Sequence, residues 1–128
     1  MSYYISRHLE MSIDDAESLT RDKLTEEGFG VLTEVDVQGT LRKKLDVDFP
    51  PYRILGACNP TFALKALQSE PRIGTMLPCN VILRELSEHE VEVSAVDPVA
   101  SMQAVDNPAL VQVAGEIRAM LKRVIESL

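Results

Sequence analysis

The chain has 128 residues, of which 45% are hydrophobic and 26% charged, and it contains no tryptophan. This composition predicts one folded domain over residues 1–128 and excludes a disordered, collagen-like or coiled-coil protein. Thirteen basic residues against twenty acidic ones give a net charge of −7, which repels phosphate backbones. The densest basic run, Arg42-Lys43-Lys44, is too short to overcome that repulsion, so we expect no nucleic-acid partner.

The sequence shows no membrane segment and no export signal. No stretch has the length and apolar character of a spanning helix, and the start, M-S-Y-Y-I-S-R-H-L-E, lacks the basic and apolar regions of a secretory leader. We therefore expect no membrane association and a cytoplasmic location, where thiols stay reduced. A structural disulfide between Cys58 and Cys79 is then disfavoured, while a transient one remains open.

The first third of the chain predicts a strand, a helix and a second strand. Tyr3 to His8 alternates as a short strand does, and Ser12 can cap a helix that runs to Glu27. Gly28 suits the residue just past a helix end. Alternation of apolar and polar residues from Val31 to Val37 then predicts a half-buried strand.

The middle of the chain contains the clearest local signal. A short helix is predicted over Gly39 to Leu45, and it ends before Phe49-Pro50-Pro51. Tyr52 to Cys58 reads as a strand. Asn59 followed by Pro60 then predicts a helix start, because asparagine accepts from free helical N–H groups and proline has none to lose.

The last part predicts a hairpin and a long helix. Cys79 to Leu86 and Val91 to Val96 form the two strands, joined by a turn at Ser87 to Glu90. Asn107-Pro108 repeats the cap-then-proline device and begins a helix with an apolar stripe that must pack on a core. Asp97, before Pro98, is interpreted as a turn-capping residue.

These elements define the fold class as α+β. We expect a twisted, mostly antiparallel sheet of about five strands with helices packed on one face, because the hairpin leaves no room for a crossover helix. Tyr52 and Phe62 are expected in the core. Glu85 and Glu92 are expected on the outer face, where they pair with Arg84 or face solvent.

Two Cys-Asn dipeptides form the candidate site. Cys58-Asn59 lies where a strand meets a helix, and Cys79-Asn80 begins the next strand. If these strands are neighbours, the two thiols lie close together. The helix N-terminus is expected to lower the pKa of Cys58, and the free N–H groups of Thr61 and Phe62 to hold an anion. Equally, buried cysteines often serve as small hydrophobic residues, and Asn59 is already explained as a cap.

The run L-G-A-C-N-P, the later P-R-I-G-T-M-L-P-C-N-V, and Asp97-Pro98 together resemble the domain of unknown function 302 family. The similarity extends from about Tyr3 to the C-terminal helix, and Asn59, Pro60 and Gly74 also match the family pattern. The resemblance implies an α+β fold with an antiparallel sheet and a dimer. It implies no established activity.

Three functions follow from these residues. The first is a dimeric module that binds a small polar ligand, an anion or a soft metal, with Cys58, Asn59, Thr61, Cys79 and Asn80 as ligand-binding candidates. The second is a thiol-dependent redox protein or enzyme in which Cys58 is the nucleophile and Cys79 the resolving thiol. The third is an interaction domain with structural cysteines. Cofactor, metal and catalytic residues are not identified.

Histidine adds little to the metal hypothesis. His89 is expected in an exposed turn, and His8 near the end of the first strand. No CxxC or HxxxH spacing is present, so a self-contained zinc site is weakly supported, and a metal would need ligands from a second subunit.

Overall fold

The computed structural model describes residues 2–128, which contain five strands, five α-helices and one 3-10 helix. The bounds of the elements are β1 Tyr4–Leu9, α1 Ile13–Glu26, β2 Gly30–Asp36, α2 Val37–Leu45, β3 Tyr52–Cys58, α3 Pro60–Ser69, a 3-10 helix Pro71–Met76, β4 Cys79–Ser87, β5 Glu90–Val96, α4 Pro98–Ser101 and α5 Pro108–Glu126. Each strand and helix predicted from the sequence is present, with ends shifted by a residue or two.

The five strands form one sheet in the order β1-β5-β4-β3-β2, and every neighbouring pair is antiparallel. The hairpin of β4 and β5 lies in the middle, and β1 and β2 are the edges. The predicted α+β class with a mostly antiparallel five-stranded sheet is therefore confirmed.

One face of this sheet and the helices α1 and α5 enclose the core. Alternate residues of the central strands point into it, and the apolar stripe predicted for α5 packs against them. The core is formed by Leu55, Val81, Leu83, Val91, Val93, Ala95, Ile117, Leu121, Val124 and Ile125, among others. Each fully buried valine, leucine or isoleucine among them contributes roughly 1.5–3 kcal/mol. The opposite face carries no helix of the main core, and we call it the open face.

The predicted ends of α1 are confirmed. The Ser12 hydroxyl accepts a hydrogen bond from the Asp15 amide at 3.1 Å. At the other end Gly28 has a φ of +86°, the left-handed conformation that favours glycine. This sharp turn sends the chain directly into β2.

An ion-pair network also holds α1 on the sheet. Arg53 of β3 donates to Asp14 at 2.7 Å and to Glu17 at 3.0 Å. Glu17 also accepts from Arg21, which in turn reaches Glu34 of β2. Asp14 lies in the first turn of α1, where the helix N-terminus favours a negative charge. It also pairs with Arg53, which lies 39 residues further along the chain.

Asp97 joins the end of the sheet to α5. Its carboxylate is 5% exposed, and Oδ1 accepts from the Val99 amide at 3.0 Å, which confirms the predicted capping role. Oδ2 accepts from Arg118 Nε at 2.9 Å, a contact between distant parts of the chain. A buried carboxylate needs such a partner, because desolvation otherwise opposes its charge.

α2 differs from the other long helices. It contains no buried residue, and every position from 42 to 50 is exposed. Its N-terminus is capped by Asp36, whose side chain accepts from the Gly39 amide. α2 is thus held mainly by its capping, by its own hydrogen bonds and by contacts with β3.

Candidate functional site

The two cysteines lie at the same end of the sheet. β3 pairs with β4, and Ala57 stands opposite Cys79, so Cys58 is diagonal to Cys79. Cys79 is 6% exposed and Cys58 is half-buried, and both are free thiols. The condition for the two thiols to lie close together, that their strands are neighbours, is therefore met.

A small cavity is lined by both cysteines and by residues of α3 and α5. Its volume is about 20 Å³, which is enough for roughly one water molecule. Apart from the cysteines and Asn59 the lining is entirely apolar, and it includes Phe29, Ala57, Phe62, Ala63, Ala66, Leu77, Met102 and Ile117. This space does not accommodate a small organic ligand.

The expectation that the helix N-terminus lowers the pKa of Cys58 was wrong. Burial raises the pKa of Cys58 above its usual value. Burial, with a smaller contribution from the neighbouring Cys58, raises the pKa of Cys79 to about 11. Removal of water from the sulfur disfavours the thiolate, so both groups are thiols at neutral pH.

Asn59 is the N-cap of α3, as predicted. Its Oδ1 accepts from the Phe62 amide at 3.4 Å, so one of the two amides expected to hold an anion is already bonded. Asn59 also lies against the turn after α1, since a Cβ added at Gly28 would lie 3.1 Å from Asn59 Nδ2. Thr61 is exposed in the first turn and lines neither this cavity nor the larger one described next.

Asn80 lies away from the thiols. Successive residues of a strand point to opposite faces, so Asn80 is on the open face while Cys79 points into the core. The five candidate residues therefore do not form one site. Cys58, Asn59 and Cys79 share the small cavity, and Asn80 belongs elsewhere.

A much larger cavity lies on the open face. Its volume is about 450 Å³, and it is open to solvent. It spans β1, β5, β4 and the start of β3, and its lining is Tyr3, Tyr4, Tyr52, Asn80, Ile82, Arg84, Glu92, Ser94, Ala95 and Val96. Sequence reasoning did not identify this cavity, although its signal is visible: positions 80, 82 and 84 and positions 92, 94 and 96 are alternate residues on paired strands.

An ion pair lies at one end of this open-face cavity. Arg84 Nε donates to Glu92 Oε1 at 2.8 Å, which confirms the predicted pairing, and Ser94 Oγ donates to the same oxygen at 3.4 Å. The hydrogen bond from Arg84 is the main cause of a lowered pKa at Glu92. Both groups are charged at neutral pH, so their charges offset each other.

Three tyrosines line the cavity walls. The rings of Tyr3 and Tyr4 meet edge to face with centroids 5.0 Å apart. Tyr52 was expected in the core and is instead half-buried here, with its ring 6.2 Å from that of Phe49. The reason is register: Tyr52 stands opposite Arg84, whose side chain also lies on the open face. Phe62 is partly buried against the core.

Neither a metal cluster nor a spanning helix is found within residues 2–128. No three side chains of the His, Cys, Asp and Glu types converge there as metal ligands. His89 lies in an exposed turn, as predicted, and His8 Nε2 is 3.7 Å from Glu90. None of the described helices is both long and apolar enough to cross a bilayer.

The fold and these two cavities describe a small α+β domain with a helix-covered sheet and a recessed open face. The family model for the domain of unknown function DUF302 matches residues 5–128, and the chain belongs to this family. The expected family resemblance is thereby confirmed. No curated protein matches the sequence.

A solved structure shares the fold over nearly the whole chain. It is the crystal structure of an uncharacterized conserved protein DUF302 from Bacillus stearothermophilus, with a TM-score of 0.90 and 24% sequence identity. The match covers 98% of this chain and 98% of that one. At this level of identity the likeness supports the fold and not a shared ligand.

Proposed function

We propose that this protein is a dimeric module that binds a small ligand, and that the ligand occupies the open-face cavity. The observation that carries the proposal is a recess of about 450 Å³ in which aromatic walls and several polar side chains converge. Small-molecule sites are typically concave, about 300–1,000 Å³ in volume, and combine apolar walls with a few polar groups. Asn80 is then the residue of the two Cys-Asn motifs that contacts the ligand.

A screen of small fragments by two-dimensional NMR tests this proposal. We expect fragments to shift the amide signals of residues 80–84 and 92–96. Asn80→Trp should abolish these shifts by filling one end of the cavity. Val111→Trp is the matched control, because Val111 is 65% exposed on α5 and lines neither of the two cavities described above. Absence of shifts in the wild type, or equal shifts in Asn80→Trp, would contradict the proposal.

The dimer is supported by the edge formed by β2 and α2. Leu32 of β2 is 69% exposed and Leu45 of α2 is 66% exposed, and covering them would remove apolar surface from water. Lys43 and Lys44 of α2 have no ion-pair partner within residues 2–128, so they can pair with carboxylates of a second copy. We therefore propose that a second copy covers this edge.

Sedimentation over a range of concentrations checks the dimer. We expect a species of twice the 14.2 kDa chain mass, and dissociation in Leu32→Lys. Leu64→Lys serves as the control, since Leu64 is 58% exposed on α3, away from the β2 edge. A single 14.2 kDa species at millimolar concentration would rule out the dimer.

Reversible thiol chemistry is the second candidate, and it is favoured by the cavity that Cys58 and Cys79 share. A low-molecular-weight disulfide would oxidise the pair: the two thiols lose two electrons and two protons and form one S–S bond, and the reagent leaves as two thiols. A mass lower by two hydrogens after treatment with oxidised glutathione supports this candidate. An unchanged mass, or stable mixed disulfides only, counts against it.

The free thiols also support the proposed cytoplasmic location.

A metal is the less supported ligand. Cys58 and Cys79 provide two soft donors, and further donors would have to come from a second copy. The small volume between them also disfavours it.

A further inference from the structure

The polar groups of the open-face cavity restrict the chemistry of its ligand. We propose that the cavity binds an uncharged, flat heterocycle that carries a hydrogen-bond donor next to an acceptor, as in the lactam edge of a pyrimidine or purine base. This inference rests on the proposed function and specifies the ligand class.

Charge is the first restriction. Arg84 and Glu92 lie 2.8 Å apart and offset each other, so the cavity has no net charge from its lining. An anion attracted to Arg84 would meet the carboxylate of Glu92, and a cation attracted to Glu92 would meet the guanidinium. The chain's net charge of −7 further disfavours phosphorylated ligands. An uncharged ligand avoids all three costs.

Shape is the second restriction. Ile82 and Val96 contribute apolar surface to the cavity, and Tyr4 and Tyr52 provide aromatic walls. Tyrosine rings bind flat apolar surfaces at low entropic cost, because they have few rotatable bonds. Their presence favours a planar ring over a flexible chain.

The unused hydrogen-bonding capacity is the third restriction. Within residues 2–128, the hydrogen bonds of this pair use Arg84 Nε and Glu92 Oε1. The terminal nitrogens of Arg84 remain as donors, and Glu92 Oε2 remains as an acceptor. A lactam edge, with its N–H beside a carbonyl, offers one partner to each. Asn80, on the same strand, supplies a further donor and acceptor.

Titration by two-dimensional NMR with four probes tests the ligand class. The probes are uracil, 1,3-dimethyluracil, benzoate and glucose, which represent a lactam, a heterocycle without N–H donors, a flat anion and a polyol. We expect uracil to shift the amides of residues 80–84 and 92–96, and dimethyluracil to bind at least tenfold more weakly. Arg84→Met and Glu92→Met should each weaken uracil binding at least tenfold.

Arg123→Met is the matched control, because Arg123 Nε pairs with Glu27 at the same 2.8 Å on another part of the surface. It should leave uracil binding unchanged. Tighter binding of benzoate or glucose would overturn the ligand class and still support a ligand site in this cavity. Fragment binding in the cavity without uracil binding would have the same meaning. If neither fragments nor the four probes shift these amides, the proposed function and this inference both fail.

Discussion

Burial controls the chemistry of Cys79 at the scale of single residues. The thiol faces the core, and loss of water raises its pKa from its ordinary value of 9.0 to about 11. Between these two values the folded protein retains a proton that the unfolded chain has released. Stability therefore decreases as the pH rises from about 9 to 11, and the loss from this group is about 3 kcal/mol at most.

Denaturant unfolding of the wild type and of Cys79→Ala at pH 7, 9 and 10.5 measures this contribution. The wild type should lose more stability than the variant over that interval, and the difference isolates Cys79 from the titration of tyrosine and lysine. Parallel pH profiles for the two proteins would show that the thiol ionises as readily in the folded state as in the unfolded chain.

Gly56, on the strand that ends at Cys58, is packed too closely to accept a larger side chain without a loss of stability. A Cβ at this position would overlap Thr33 Oγ1 and lie 2.7 Å from Pro78 Cγ. Overpacking of this kind typically costs about 1–3 kcal/mol. We expect Gly56→Ala to lower the free energy of unfolding by at least about 1 kcal/mol in denaturant titration.

Gly30→Ala is the control for Gly56→Ala. Gly30 lies on β2, next to β3, and a Cβ there would have no atom within 4 Å. Its stability should change by less than about 1 kcal/mol. Equal losses in the two variants would show that the contact with Thr33 and Pro78 does not explain the requirement for glycine.

Among the elements, α3 depends on its cap. Asn59 supplies the acceptor for the Phe62 amide, and replacement of an N-cap asparagine by alanine typically costs about 1 kcal/mol. Asn59→Ala should lose this amount in thermal or denaturant unfolding, while Asn59→Asp keeps an acceptor and should remain near the wild type. A loss in Asn59→Asp as large as in Asn59→Ala would show that the amide group has a role beyond capping, for example beside Gly28.

Local signals made most of these elements predictable. Caps at Ser12, Asn59 and Asn107, together with strict alternation in the strands, act over a few residues and are legible in one sequence. The features that the sequence did not predict depend on contacts between residues far apart in the chain. Asn107 also donates from Nδ2 to the Ser69 carbonyl at 2.9 Å, which joins the ends of α3 and α5, and nothing near Asn107 in the sequence indicates that contact.

The same distinction explains the candidate site. The sequence left open whether Cys58 and Cys79 are adjacent, because that depends on the pairing of β3 with β4, two strands separated by a helix. Nor did it predict the raised pKa of Cys58, because desolvation depends on α3 and α5 packing over the thiols. The open-face cavity is built by residues from four strands and the N-terminal segment, so no single segment shows it.

At the scale of the whole molecule, we expect the backbone amides to differ widely in their protection from hydrogen exchange. β4 is the central strand, with neighbours on both sides, and its inward residues Val81 and Leu83 are fully buried. α2 has no buried residue. Amides in a segment that can open locally, without exposing the core, exchange far faster than amides that exchange only when the whole protein unfolds. In dilute solution we therefore expect the α2 amides to exchange first among the helices and the β4 amides last.

Raising the protein concentration turns this measurement into a test of where the copies meet. If a second copy covers the edge formed by β2 and α2, hydrogen exchange of α2 should slow as the dimer forms, since opening then requires separation of the interface. Leu32→Lys should keep α2 fast at every concentration, and exchange in β4 should hardly change in either protein. Concentration-dependent protection on the open face instead would place the second copy over the cavity, and the ligand proposed for that cavity would then have to bind between two chains.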